Sequence, residues 1–113
     1  MQMDKNVLGF LGLLRRAGKI TIGCDPVCAA AAEGKTRLIL MAEDISQNTK
    51  KIVLRKTEAY SPHIYILKCS KNELSHALGK QAAVISVDDE KAASSVEQKI
   101  ADDKEECHNG DKG

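Results

Sequence analysis

Hydrophobic residues along the chain alternate between a helical spacing and short continuous runs. Residues 4–17 carry apolar side chains three or four positions apart, which predicts a helix that Gly18 ends. Residues 38–42, Leu-Ile-Leu-Met-Ala, are apolar throughout, which is typical of a strand buried on both faces. We therefore predict that this strand lies in the centre of a sheet.

The rest of the chain continues the alternation. Further strands are predicted at residues 19–22, 63–68 and 82–87, and further helices at 25–34, 44–60, 70–79 and 88–100. The tetrapeptide Ser-Lys-Asn-Glu at 70–73 has the sequence of a capping box, which supports a helix start there. The order α-β-α-β-α-β-α-β-α predicts an α/β fold, a three-layer α/β/α sandwich around a small mixed sheet of about four strands.

The length of 113 residues is typical of one domain. We expect residues 1–101 to form it and residues 102–113, where Cys107 is the one apolar residue, to be an acidic disordered tail. No apolar run approaches the ~20 residues of a membrane helix, and the first residues do not resemble a signal peptide. These observations predict a cytoplasmic protein that does not contact membranes, and we expect it to be a monomer.

The formal net charge of +1 combines a basic body with an acidic end. Residues 1–87 contain 13 Lys and Arg against 7 Asp and Glu, whereas residues 88–113 contain 4 against 9. Basic residues cluster at 15–19 and again at 50–56, and such clusters are candidate contacts for a polyanion.

The junction between the first predicted strand and the second predicted helix is the strongest candidate site. Asp25 is predicted to be the N-cap and Pro26 the first helical residue, so about three or four backbone N–H groups would be free. A helix start with nearby cations favours anion binding. The residues predicted to form this site are Arg15, Arg16, Lys19, Gly23, Cys24, Asp25, Pro26 and Val27.

Three segments stand in an order and spacing typical of one family of proteins. They are Arg16-Ala17-Gly18-Lys19 followed by Gly23, the run Leu-Met-Ala-Glu-Asp-Ile-Ser-Gln-Asn-Thr at 40–49, and Asn72-Glu73-Leu74 followed by Ala77-Leu78-Gly79. On these motifs, residues 5–96 resemble the L7Ae/L30e superfamily of ribosomal proteins, and most closely its bacterial YlxQ-like branch.

The resemblance implies a non-enzymatic protein, without cofactor or metal, that binds structured RNA such as ribosomal RNA or another kink-turn-like RNA, and that associates with the ribosome. It adds two surfaces to the site, namely Glu43, Asp44 and Ile45 in one loop and Lys80, Gln81 and Ala82 in another. Kink-turn binders of the superfamily commonly carry Asn, Glu and Lys where this chain has Asp25, Pro26 and Ala29. The difference predicts binding to structured RNA in general, with little selectivity for kink-turns.

Other functions are compatible with the same sequence. A protein-interaction module on this fold, with decayed RNA binding, would use the alanine-rich second helix or the acidic end. Cys24 and Cys28 are four positions apart, which is a weak metal or redox signal, and a helix start would lower the pKa of Cys28. His63 and His76 have no nucleophile beside them in the sequence, so no catalytic site is predicted.

Overall fold

A computed structural model describes the backbone of residues 5–112 and the side chains of residues 7–101. Helices and strands alternate along the chain as predicted. They are α1 (Lys5–Arg16), β1 (Ile20–Ile22), α2 (Cys24–Ala32), β2 (Leu38–Met41), α3 (Gln47–Thr57) with a short 3-10 helix (Glu58–Tyr60), β3 (His63–Ile66), α4 (Lys71–Leu78), β4 (Val84–Val87) and α5 (Glu90–Lys112).

The strands form one mixed sheet with the order β1-β4-β2-β3. Strands β2 and β3 are parallel, whereas β4 is antiparallel to both of its neighbours. Every residue of β2 and β4 is buried, because these central strands are covered on both faces. The central position predicted for residues 38–42 is therefore confirmed.

Helices cover the sheet on both faces. Helices α1, α4 and α5 contribute to one hydrophobic core together with Leu38, Leu40 and Ile85. Helices α2 and α3 contribute to a second core together with Ile39 and Met41. Because neighbouring residues of β2 point to opposite faces, the strand supplies side chains to both cores. The α/β/α sandwich predicted from the sequence is confirmed.

Helix α5 is longer than the sequence predicts. Its backbone continues from Glu90 to Lys112, beyond the end predicted near Ile100. Residues 101–107 are Ala, Asp, Asp, Lys, Glu, Glu and Cys, and neither glycine nor proline interrupts the helix before Gly110. The side chains after Ala101 and the whole of Gly113 lie outside the described residues, and the division at residue 101 stays a prediction.

The two ends of the sheet have different partners. We call the end at which β2 and β3 finish the carboxyl end of the sheet. There the Gly23 N–H donates to the Val84 carbonyl (3.0 Å), and the Ala42 N–H donates to the Ala83 carbonyl (2.9 Å). We call amino end the opposite one, where the Asp88 N–H donates to the Lys19 carbonyl (2.9 Å). Strand β1 thus has Lys19 at one end of the sheet and Gly23 at the other.

Candidate nucleic-acid interface

The carboxyl end of the sheet brings together the start of α2, the loop after β2 and the loop before β4, which are the three segments that the sequence implicates. Helices α2 and α4 both begin there, and the loop before β4 lies between them. These elements enclose a cleft of about 310 Å³, whose lining includes Gly23, Cys24, Lys71, Asn72, Gln81 and Ala82. We refer to this feature as the cleft.

The turn from β1 into α2 differs from the prediction in its register. Gly23 is the N-cap, so Asp25 and Pro26 are the second and third helical residues, and the predicted N-cap at Asp25 is wrong. The cause is the backbone of Gly23, whose φ of 108° is accessible to glycine and lets the chain enter the helix directly after β1.

This register changes the number of free donors. The Gly23 N–H is bonded to Val84, and the Val27 N–H donates to the Gly23 carbonyl at 2.9 Å. Pro26 has no N–H group. The first turn of α2 therefore offers the N–H groups of Cys24 and Asp25, fewer than the three or four predicted from the sequence.

The start of α4 is held by side-chain caps. Ser70 Oγ accepts from the Glu73 N–H (3.1 Å), and Glu73 Oε1 accepts from the Ser70 N–H (2.9 Å), which confirms the predicted capping box. Asp44 Oδ1 accepts from the Lys71 N–H at 2.7 Å. Asp44 is one of the predicted site residues, and its exposed carboxylate ties the loop after β2 to the first turn of α4.

Ser75 fixes the loop before β4. Its Oγ accepts from the Ala82 N–H (2.8 Å) and donates to the Ala82 carbonyl (3.2 Å). The neighbouring side chains of Lys80 and Gln81 are exposed. The backbone of this loop is thus held in place while two polar side chains next to it remain accessible.

Three of the predicted site residues are buried. The relative exposures of Val27, Ile45 and Ala82 are 0%, 7% and 4%. Val27 and Ile45 belong to the core between the sheet and α2 and α3, and Ala82 belongs to the core on the other face. These side chains shape the backbone around the cleft, and the polar contacts must come from exposed neighbours such as Asp25 and Glu43.

The predicted cluster of three cations is divided between two places. Lys19 lies at the amino end, with its Nζ 3.3 Å from Asp89 Oδ1. Four residues of extended chain, about 13 Å, separate it from Gly23. Arg15 and Arg16 line a different groove, between α1 and α4. Lys19 is therefore held in an ion pair and is not among the residues that line the cleft or this groove.

Two residues at the start of α4 were not predicted as site residues. Lys71 and Asn72 line the cleft with exposed side chains, although the sequence interpretation used them as parts of a capping box. A usable signal existed, because the carboxyl ends of parallel strands meet at the same end of a sheet. The loops after β2 and β3 could on that basis have been assigned to one surface.

Burial makes the thiols of Cys28 and Cys69 less acidic, since it raises the pKa of both. Burial is the main cause that raises the pKa of Cys28, and the neighbouring Cys24 raises it further. Burial also raises the pKa of Cys69 to about 11. The lowered pKa expected for Cys28 is therefore wrong. Within residues 7–101, no group of three or more His, Cys, Asp or Glu side chains is arranged to hold a metal ion.

Taken together, the fold and the cleft define a small α/β/α sandwich protein with a polar surface at the carboxyl end of its mixed sheet. The chain belongs to the ribosomal protein L7Ae/L30e/S12e/Gadd45 family, whose model matches residues 5–97. This membership confirms the resemblance drawn from the sequence motifs. In the described part of the chain, no helix has the length and apolar character needed to cross a membrane.

Bacterial relatives cover most of the chain. An RNA-binding protein YlxQ of Enterococcus faecium is 29% identical over 96 residues, which are 85% of this chain and 92% of the relative. An RNA-binding protein YlxQ of Bacillus subtilis (strain 168) is 35% identical over 75 residues, which are 66% of this chain and 74% of the relative.

Solved structures share the fold. A Bacillus halodurans protein of unknown function superposes with a TM-score of 0.79 and 27% identity, covering 87% of this chain and 99% of the other. The 15.5kD RNA binding protein of Giardia lamblia has a TM-score of 0.66 and 20% identity, covering 84% and 82% of the two chains. At that identity, the second likeness shows the fold alone.

Proposed function

We propose that this chain is a non-enzymatic protein that binds structured RNA in the cleft at the carboxyl end of its sheet. The observation that carries the proposal is a set of uncommitted polar groups there. Lys71, Asn72 and Gln81 are exposed, and their side chains have no hydrogen bond or ion pair with the part of the protein that the structure describes. The RNA-binding relatives in bacteria support the same function.

The chemistry of the cleft suits recognition of a folded RNA backbone. The ammonium group of Lys71 and the N–H groups at the start of α2 can contact phosphates, whereas the amides of Asn72 and Gln81 can both donate and accept at base edges. Among the described residues, no aromatic side chain lines the cleft, so bases are not expected to stack on aromatic rings there. We therefore propose recognition through shape and charge.

Binding to a structured RNA hairpin at several salt concentrations tests this proposal. The double variant Lys71→Gln/Lys80→Gln should bind more weakly and lower the slope of log K against log salt by about one for each phosphate that is no longer neutralised. The matched control, Lys19→Gln/Lys91→Gln, removes the same charge at the amino end and should retain a larger share of the affinity. Equal reductions in the two variants would contradict the assignment to the cleft.

Kink-turn selectivity is expected to be weak. Asp25, Pro26 and Ala29 are all exposed, so they are available to an RNA at the start of α2. Asp25 would repel phosphate, and Pro26 and Ala29 offer no polar side-chain group. The variant Asp25→Asn/Pro26→Glu/Ala29→Lys should gain selectivity, since specific contacts of this kind contribute about 1–3 kcal/mol each.

The measurement compares a kink-turn with the same RNA after its sheared pairs are replaced by Watson–Crick pairs. Discrimination by the wild type of more than about a hundredfold, or about 2.7 kcal/mol, would contradict the interpretation of these three residues. Ribosomal RNA is one RNA of the proposed class. Association with the ribosome, a cytoplasmic location and a monomeric state stay predictions of the same proposal.

A further inference from the structure

We propose that the groove between α1 and α4 is a second RNA-contact surface, which binds the phosphate backbone of a stem that flanks the RNA held in the cleft. This inference rests on the proposed function and extends it to a surface on the other side of α4. We call this surface the α1–α4 groove. It has a volume of about 350 Å³, and Gly9, Gly12, Arg15, Arg16, His76 and Gly79 are among the residues that line it.

Close packing of the two helices forms the floor of the groove. A Cβ atom at Gly12 would lie 2.8 Å from the Ala77 carbonyl oxygen, so only glycine permits this approach of α1 to α4. No atom lies within 4 Å of a Cβ built at Gly9, so this position adds no side chain to the surface beside the contact. The close crossing and the absent side chains together leave room for a ligand backbone above the helix contact.

The groove carries positive charge and polar donors without opposing carboxylates. Arg15, Arg16 and His76 are exposed, and no Asp or Glu is among its lining residues in the described chain. The side chains of these three residues have no ion pair or hydrogen bond within residues 7–101. Arginine presents several donors in a planar arrangement that matches phosphate, so the unpaired guanidinium groups suit an RNA backbone.

Arginines in the last turn of a helix also offset the helix dipole, which is a structural explanation for Arg15 and Arg16. That role does not require their proximity to the end of a second helix. A Cβ atom at Gly79 would lie 3.8 Å from Arg15 Nη1, so the guanidinium of Arg15 extends across to the last turn of α4. The side-chain donors of Arg15 and Arg16 on α1 and of His76 on α4 thus line the same groove. A ligand in the groove could contact both helices.

The groove and the cleft are adjacent around the end of α4. Ser75 lines the cleft and Gly79 lines the groove. The two residues are one helical turn apart, or about 6 Å along the helix. Exposed Lys80 follows Gly79 and precedes Gln81, which lines the cleft. An RNA seated in the cleft can therefore continue past Lys80 into the groove along a surface with cations at successive positions.

The experiment compares two RNAs that share a bent internal loop, one with a short flanking stem and one whose stem is a helical turn longer. The wild type should bind the longer RNA more tightly and with a steeper salt dependence. In Arg15→Gln/Arg16→Gln, the short RNA should bind as in the wild type, and the salt slope for the longer RNA should fall by about two. The control Lys51→Gln/Arg55→Gln removes the same charge from exposed positions on α3, on the other face of the sheet. It should still bind the longer RNA more tightly than the short one.

Each outcome assigns the failure to one of the two proposals. The groove is not an RNA surface if the longer stem does not increase the affinity of the wild type, or if the Arg15/Arg16 variant retains that increase. Neither result bears on the proposal for the cleft. Weaker binding of both RNAs by a similar factor in Lys71→Gln/Lys80→Gln, with the stem effect retained in that variant and abolished in the arginine variant, supports both proposals. A wild type that binds neither RNA overturns both. Groove-dependent binding of poly-glutamate with an unchanged RNA profile would assign the groove to an acidic protein instead.

Discussion

The amino and carboxyl ends of the sheet use polar residues in opposite ways. At the amino end, the Asp88 carboxylate accepts from the hydroxyl groups of Thr21 (2.5 Å), Ser86 (2.9 Å) and Thr36 (3.4 Å). At the carboxyl end, Asn72 and Gln81 are exposed and keep their side-chain hydrogen-bonding capacity for other molecules. The same four strands thus connect a surface closed by internal hydrogen bonds to a surface available for binding.

Internal bonds also exist at the carboxyl end, but they hold the backbone. Ser75 fixes the loop before β4, and Ser70 and Asp44 cap the start of α4. Each bond leaves a neighbouring side chain exposed. The comparison indicates that a rigid backbone with accessible side chains distinguishes a binding surface from a polar cluster that stabilises the fold.

The largest effect is expected from breaking the Asp88 cluster. Asp88→Ala removes the acceptor of three hydroxyl groups, including that of Ser86, which is 0% exposed. A buried hydroxyl without a partner costs about 1–3 kcal/mol, and urea unfolding should show a destabilisation of that size. Gln81→Ala at the carboxyl end should change stability by less than about 0.5 kcal/mol. Similar destabilisation in the two variants would contradict the difference drawn between the two ends.

A smaller effect is expected at Asp44, which is predicted to contact the RNA and whose carboxylate caps the start of α4. Asp44→Ala removes the acceptor of the Lys71 N–H and should destabilise the fold by about 1 kcal/mol, as measured by thermal or urea unfolding. Asp44→Asn retains an acceptor oxygen and should be close to wild type in stability.

RNA affinity separates the two roles of Asp44. If the residue positions α4, Asp44→Asn should bind RNA at least as tightly as the wild type, because a carboxylate near the phosphates has been removed. A marked loss of affinity in Asp44→Asn with normal stability would show that the carboxylate itself contacts the RNA.

Most of the fold could be predicted from the sequence because each element has a local signal. The continuous apolar run of β2 predicted a central strand, and the capping box at Ser70 predicted the start of α4. The start of α2 was misplaced by two residues, because Asp25 and Pro26 are common at helix starts and the backbone angle of Gly23 is not visible in the sequence.

The candidate site was less predictable because it depends on contacts between distant segments. Lys19 is close to Gly23 in the sequence, but β1 carries the two residues to opposite ends of the sheet. Asp44 lies 27 positions from Lys71, whose N–H it caps, and no local pattern indicates that bond. Side chains that share a surface through tertiary packing require the topology of the sheet before they can be grouped.

The smallest expected effect concerns the pH dependence of the amino end. The hydrogen bond from the Ala92 N–H to Asp89 Oδ2 (2.9 Å) is the main cause that lowers the pKa of Asp89 from its usual 3.8, and Lys19 lowers it further. A carboxyl group with a lower pKa in the folded chain stabilises the fold above its unfolded pKa, and this contribution is lost as the pH falls through the folded value.

The comparison with Asp89→Asn measures this contribution, because asparagine can still cap α5 but does not titrate. The stability difference between wild type and variant, measured by urea unfolding, should be largest near neutral pH and should shrink as the pH falls below about 4. The corresponding difference for Gln81→Ala supplies the control, since glutamine and alanine do not titrate. A difference for Asp89→Asn that stays constant from neutral to acid pH would contradict the lowered pKa and leave the amino end stabilised by its hydroxyl cluster alone.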